Sequence, residues 1–410
     1  MKKFFALLLS LAMVLALVAC GQKDPTPDTP DTPDDPQTKV EYKVAMITDY
    51  GDITDQSFNQ TTYEACKAFA EDNSIEFSYF KPAGDNTADR VAMIEKAVDE
   101  GFNVIVMPGY AFGGAIVEAA PEFPDVKFIA LDVAAGDLLE TAVAKAGEAY
   151  DYTPENWDLN KYVDMSNVYC AVYQEELCGY MAGYAAVKLG YKNLGFLGGM
   201  SVPAVVRYGY GFVQGVDAAA ADLGLTDVKL NYIYGGQFFG DADITAVMDT
   251  WYQGGTEVVF ACGGGIYTSA VDAAKKVGAK VIGVDVDQAG VIANYAGVDG
   301  MTVTSAMKGL YPATYDTLTD VIVNCNWEKY VGKIETLGLV SGTDPEANYV
   351  QIPMGDGTQW SDSFTQDDYK AMVKDMFDGK ITVSNNTSSD VSAADFATVI
   401  TVDDQGSIKG

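Results

Sequence analysis

Two short segments of this 410-residue chain bring carboxylates and an ammonium to the ends of successive predicted strands. They are Gly283-Val-Asp285-Val-Asp287-Gln288 and Ser305-Ala-Met-Lys308. A carboxylate accepts two hydrogen bonds from vicinal hydroxyls, and a lysine fixes a ring or hydroxyl oxygen. The plainer reading is a surface Asp–Lys pair worth ~0–1 kcal/mol. A third segment, 49–60, holds Asp49, Asp52, Asp55, Ser57, Phe58 and Asn59 between a first strand and a first helix. Its aspartates lack the fixed Gly and bidentate Glu of an EF-hand calcium loop. Asp55 or Ser57 suits a helix N-cap. Phe58 supplies a stacking face, and the Asn59 amide supplies paired donor and acceptor atoms.

Two glycine-rich loops complete the set. Gly235-Gly-Gln-Phe238-Phe239-Gly-Asp241 presents adjacent rings after a strand, an arrangement suited to a clamp. Gly263-Gly264-Gly265 lacks the Lys-Ser/Thr of a phosphate loop, so it reads as a place where backbone approaches a ligand. The chain has no histidine, which excludes Ser-His-Asp and Cys-His nucleophilic sites and any zinc site with a histidine ligand. Cys66, Cys170, Cys178, Cys262 and Cys325 are scattered through apolar stretches with no C-x-x-C pair. Buried thiols are expected, one disulfide stays open as the alternative, and an odd count cannot pair fully.

The elements that must position these residues alternate. Apolar runs at 44–48, 75–80, 103–107 and 127–131 read as strands, with helical stretches at 58–71, 87–100 and 112–120 between them. A second set has strands at 168–173, 193–197, 228–234, 257–261, 280–284 and 301–304. Its helices run at 175–189, 203–223, 241–252, 266–277 and 310–325. Continuous apolar strands separated by helices make βαβ units and parallel sheets covered on both faces. Ligands of such folds sit outside the carboxyl ends of the strands, where Asp49, Asp132, Phe238, Gly264, Asp285 and Lys308 all fall. Residues 134–166 break the rhythm as an acidic, aromatic insertion. Beyond Val331 a strand at 349–352, a helix at 366–377 and a strand at 381–384 are expected to pack on the body.

The start of the chain places it. Lys2 and Lys3 precede an apolar run from Phe4 to Ala19, which ends in Leu17-Val-Ala-Cys20. That is a secretory signal, too short for a membrane span, with a cysteine directly after its cleavage site. The four closing residues resemble a bacterial lipobox, so Cys20 is expected to carry lipid on the outer face of the cell membrane. Residues 21–39 hold five prolines and three Thr-Pro-Asp triplets, the composition of an extended spacer. Without Lys2 and Lys3, 24 basic residues face 58 acidic ones, a formal charge of −34. Such a surface repels phosphate backbones and anionic headgroups, so nucleic acid and direct membrane-surface binding are not expected. About 390 residues after the signal suggest two domains.

From about Tyr42 to Val323 the chain resembles the basic membrane protein family of bacterial substrate-binding lipoproteins, which includes purine-nucleoside receptors. The likeness is carried by Asp55-Gln-Ser-Phe-Asn-Gln, Pro124-Asp-Val-Lys-Phe-Ile-Ala-Leu-Asp132 and Glu175-Glu-Leu-Cys-Gly-Tyr-Met-Ala-Gly-Tyr184. It continues through Gly198-Gly-Met200, Gly211-Phe-Val-Gln-Gly215, the segment 283–288 and Ser305-Ala-Met-Lys308. The resemblance implies an α/β type I periplasmic-binding fold, two doubly wound lobes joined by a hinge, delivering a ligand to an ABC permease without chemistry. It implies that Phe58 stacks on a base with Asn59 beside it, opposite Phe238 or Phe239. It also implies that Asp132 contacts the base, that Asp285 and Lys308 hold the ribose, and that Asp49 lies nearby. The family often has an acidic residue where this chain has Gly113-Gly114, and the insertion after Asp132 is long for it.

The expected organisation is a signal at 1–20, a tether at 21–39, a first lobe from 40–174 plus 305–330, and a second from 175–304 plus 331–410. The expected function is capture of a purine nucleoside by a monomeric, lipid-anchored receptor that needs no cofactor or metal. The alternatives are a receptor for a sugar, signal or vitamin, or a surface nucleoside hydrolase using the aspartate clusters.

Overall fold

In a computed structural model, which describes residues 41–409, the apolar runs form two parallel sheets. The first sheet contains β1 (Lys43–Ile47), β2 (Glu76–Phe80), β3 (Val104–Pro108), β4 (Lys127–Leu131) and β5 (Val168–Tyr173). The second contains β6 (Asn193–Gly198), β7 (Lys229–Tyr234), β8 (Val258–Cys262), β9 (Lys280–Asp285) and β10 (Thr302–Lys308). Three strands follow in the later part of the chain: β11 (Lys333–Leu337), β12 (Val350–Gln351) and β13 (Thr401–Ser407). The orders are β11-β5-β4-β3-β1-β2 and β12-β10-β9-β8-β6-β7-β13. Every residue of β3 and of β8 is buried, as helices on both faces of a parallel sheet require. Among the described strands, only β12 runs antiparallel, against β10. The expected signal, Cys20 and the expected tether at 21–39 lie outside the described residues.

The lobe boundaries differ from the expected ones. β10 lies in the second sheet, where it pairs with β9, and β11 returns to the first sheet beside β5. Residues 305–308 therefore belong to the second lobe and 333–337 to the first, although helix Leu310–Leu318 does pack on helix Phe58–Asn73 of the first lobe. The tail also departs from expectation. Residues 381–384 form no strand; the Gln214 side chain holds Ser384 through both its backbone N–H and its C=O. β13, mostly polar, is secured by pairing with β7. Just before β13, the Asp217 carboxylate accepts the backbone N–H groups of Thr398, Val399 and Ile400.

The chain passes between lobes three times, at Gln174, at Gly309 and through 338–349. These crossings are hydrogen-bonded to one another: Gln174 N–H to Leu337 O at 3.0 Å and Gly309 N–H to Tyr349 O at 2.7 Å. Helices Glu175–Lys188 and Pro203–Asp222 cross in close backbone contact. A Cβ at Gly211 would lie 2.1 Å from Glu176 O, and one at Gly215 would lie 2.1 Å from Tyr180 O. Two of the motifs that carry the family likeness are thus explained by packing. That packing also fixes Glu175 and Arg207 at the cleft end of the helix pair.

Candidate ligand site between the lobes

The strand ends of both sheets open on one cavity of about 410 Å³, within the size range of small-molecule sites. Asp49, Phe58, Asn59, Asp132, Phe238, Phe239, Gly264, Asp285 and Lys308 all line it. The structure therefore brings every sequence-derived cleft residue to one place. The lobes also touch around it. Ser57 Oγ donates to Asp285 Oδ2, Gln288 Nε2 donates to Gln56 O at 3.1 Å, and Tyr50 and Tyr110 hydroxyls meet the Met200 sulfur at 3.8 and 3.7 Å.

Segment 49–60 divides its labour. Asp55 accepts the backbone N–H groups of Ser57, Asn59 and Gln60 and so caps the first helix. Ser57, at the N-cap, makes no cap bond, and its hydroxyl reaches the other lobe instead. Asn59 Nδ2 donates to Asp49 Oδ1 at 3.3 Å and to Asp55 Oδ2 at 3.1 Å. Both partners are carboxylates, which orients the amide; Asn59 Oδ1 is left buried and unpartnered. Burial raises the Asp49 carboxyl above its usual range, offset in part by the N–H groups of Gly51 and Tyr50.

The aspartates at the strand ends sit on left-handed backbone, φ 60° at Asp132 and 65° at Asp285, which Asp tolerates better than most residues. Lys308 lies between them. Its buried ammonium contacts Asp132, lies 3.5 Å from Glu175 and 3.8 Å from Asp285, and stands 4.7 Å from the centre of the Phe58 ring. Burial disfavours the charged lysine, but the carboxylates of Asp132, Asp285 and Glu175 outweigh it and hold its pKa above the usual range. Burial pushes Asp132 up to about 6 despite Lys308, and its Oδ1 has no partner. Tyr208 donates to Asp285 Oδ1 at 3.3 Å.

Phe238 and Phe239 part company. A Cβ at Gly199 would fall 2.4 Å from the Phe238 ring and one at Gly263 2.8 Å, so these glycines form the floor under it. Phe239 is 56% exposed. Gly264 has φ 48°, and a Cβ there would lie 3.1 Å from Phe238 O. The insertion reaches the site as well: Ala134 and Asp137 line the cavity, and burial lifts Asp137 to about 7. A Cβ at Gly113 would lie 2.3 Å from Asp137 O, so the Gly-Gly pair makes room for the inserted helix Ala135–Lys145.

Sequence reasoning missed Arg207, Glu175, Tyr208 and Asp137. Arg207 Nε donates to the fully buried Glu175 at 2.6 Å. The available signal was a lone cation near the start of a largely apolar, glycine-containing helix. Cys66, Cys170, Cys178 and Cys262 are buried free thiols. No helix among the described residues is long and apolar enough to cross a membrane.

This chain belongs to the family of PnrA-like ABC transporter substrate-binding proteins, whose model matches residues 42–343. It is 25% identical over 389 residues to the ABC transporter nucleoside-binding protein BmpA of Lactococcus lactis subsp. cremoris, across 92% of this chain and 96% of that one. It is 26% identical over 322 residues to basic membrane protein B of Borreliella burgdorferi, across 76% and 83%. An ABC transporter solute-binding protein of Aeropyrum pernix shares the fold, with a TM-score of 0.59 at 19% identity over 84% of this chain and 88% of that one. The expected type I periplasmic-binding architecture is therefore present. As an ABC transporter substrate-binding protein, the chain has a small-molecule ligand and a permease partner.

Proposed function

We propose that this protein captures a purine nucleoside between its lobes and passes it unchanged to an ABC permease, while lipid on Cys20 holds it at the outer face of the cell membrane. One observation carries the reading. Rings from both lobes, Phe58 and Phe238, line one cavity whose buried Asn59 and Asp132 oxygens await donors. A purine supplies a flat face for the rings and N–H donors for those oxygens. The name of the Lactococcus relative supports the same ligand class.

In this reading Phe58 and Phe238 form the clamp, with Phe239 at its mouth. Asn59 and Asp132 accept from the base, and Asp49 fixes the Asn59 amide. Asp285 exchanges its present hydroxyl partners, Ser57 and Tyr208, for the ribose diol, and the Gly264 backbone lets the sugar approach closely. Lys308 offsets part of the negative charge of Asp132 and Asp285, and so tunes the charge of the ribose end as well as facing the ligand.

Calorimetry on two variants tests these roles. Stacking is worth ~1–3 kcal/mol per base, so Phe58→Ala should lower affinity roughly 5- to 150-fold for ribosides and 2′-deoxyribosides alike. Asp285→Asn loses the charged acceptor of two hydroxyls, a change worth ~1.5–3 kcal/mol, and should shrink the preference for ribosides. An unchanged ribose-to-deoxyribose ratio in Asp285→Asn would overturn the assignment.

A further inference from the structure

The family match ends at residue 343, yet the chain runs on and adds an edge strand, β13, beside β7. β13 pairs in parallel with β7, Thr401 opposite Lys229 through Asp404 opposite Tyr232, and again at Ser407 with Tyr234. Ile408 N–H then donates to Tyr234 O at 2.8 Å, where β7 gives way to the loop 235–241 that bears Phe238 and Phe239. At that point Lys409 Nζ donates to Gln237 Oε1 at 2.8 Å and pairs with the Asp241 carboxylate. Gln237 in turn donates to Phe239 O at 2.9 Å and to Asp241 at 3.0 Å. Asp241 caps helix Ala242–Gln253 through Ile244 N–H. The contact is close: a Cβ on Gly236, at φ 79°, would lie 2.7 Å from Lys409 Cβ and 2.8 Å from its carbonyl oxygen.

We propose that Lys409 is a positioning residue of the ligand clamp, tying the loop 235–241 down so that Phe238 is held ready to stack. The inference rests on the nucleoside reading only for the identity of the ligand; the brace itself is a property of the loop. Its logic is preorganisation. A ring presented from an irregular loop must be immobilised before it can grip, and a contact that does so in advance raises affinity without touching the ligand. Lys409 and Asp241 keep 33% and 26% of their side-chain surface exposed, so their pair adds little to global stability. Its loss should be felt locally, in the loop and in the ligand.

Lys409→Met keeps the aliphatic stem and removes the charge, and Lys409→Arg restores the charge. In the ligand-free mature chain, hydrogen exchange of the amides of 237–240 should rise in Lys409→Met, return towards the parent in Lys409→Arg, and leave β8 and β9 unchanged. Unaltered exchange at 237–240 overturns the proposal whatever the ligand. Affinity for adenosine and inosine should fall about three- to tenfold in Lys409→Met with the melting temperature held, and the fall should vanish in a Phe238→Ala background, as coupled neighbours require. An equal fall in both backgrounds would make Lys409 independent of the clamp and overturn the proposal. A parent chain that binds neither nucleoside would refute the ligand reading, with the exchange result still deciding the brace.

Discussion

Lys308 is the residue on which the electrostatics of the cleft turn. It is 5% exposed, and its ammonium touches Asp132, lies 3.5 Å from Glu175 and 3.8 Å from Asp285, and faces the rings of Phe58, Tyr173 and Tyr208. Lys308→Met keeps the volume and removes the charge. Removing one partner of a buried ion pair costs about 3–5 kcal/mol, because the other charge is left uncompensated. Asp132 gives the cost a pH signature. With Lys308 present, burial pushes its carboxyl up to about 6, above the ~3.9 of an unfolded chain; without Lys308 it must rise further. A folded-state value above the unfolded one means that the native form binds more protons between the two. Stability is then lost as pH rises through that window and regained on acidification. Between pH 6 and the new Asp132 value the variant loses a further ~1.4 kcal/mol per pH unit that the parent does not. Urea denaturation of the ligand-free protein at pH 5.5 and 7.5, followed by tryptophan fluorescence, reads this directly. The variant should be ~3–5 kcal/mol less stable at pH 7.5 and recover ~2 kcal/mol of that loss at pH 5.5. A loss below ~1 kcal/mol at pH 7.5, or an equal loss at both pH values, would refute the reasoning.

Three other outcomes are expected. Asp217→Ala strands three backbone N–H groups before β13 and should cost about 2–3 kcal/mol, with protease cuts appearing first near 397–400; a loss within 0.5 kcal/mol would deny it that role. AMP should bind at least roughly tenfold more weakly than adenosine, because six aspartates line the cavity against Lys81, Arg207 and Lys308, and equal affinities in calorimetry would contradict this. Cys20→Ala should release the protein from the membrane fraction into the medium, and retention on membranes would point to another anchor.

Much of the site was legible because one rule governs it: in parallel sheets, ligands lie beyond the carboxyl ends of the strands. Asp132, Asp285 and Lys308 end or directly follow apolar runs, so their convergence could be read without coordinates. The allocation of strands to sheets could not. Thr302–Lys308 and Lys333–Leu337 are both short runs whose local pattern says strand, and only pairing with β9 or β5 decides the lobe. β13 was invisible because a strand such as Thr401–Ser407, rich in Asp, Gln, Gly and Ser, is stabilised by its neighbour and by Asp217 rather than by propensity. Local spacing makes Ser57 a possible cap. Its cross-lobe bond depends on how the lobes close, which no local spacing encodes. Arg207 was missed because its partner Glu175 lies 32 residues away on another helix.

The central claim is that the cleft holds a purine nucleoside and leaves it intact. Mass spectrometry of the small molecules released by denaturing the purified protein, repeated after incubation with inosine, tests it most directly. The account predicts a purine nucleoside in stoichiometric amount and inosine recovered unchanged. A sugar, an amino acid or a vitamin in its place would contradict the ligand, and hypoxanthine released from inosine would contradict the receptor.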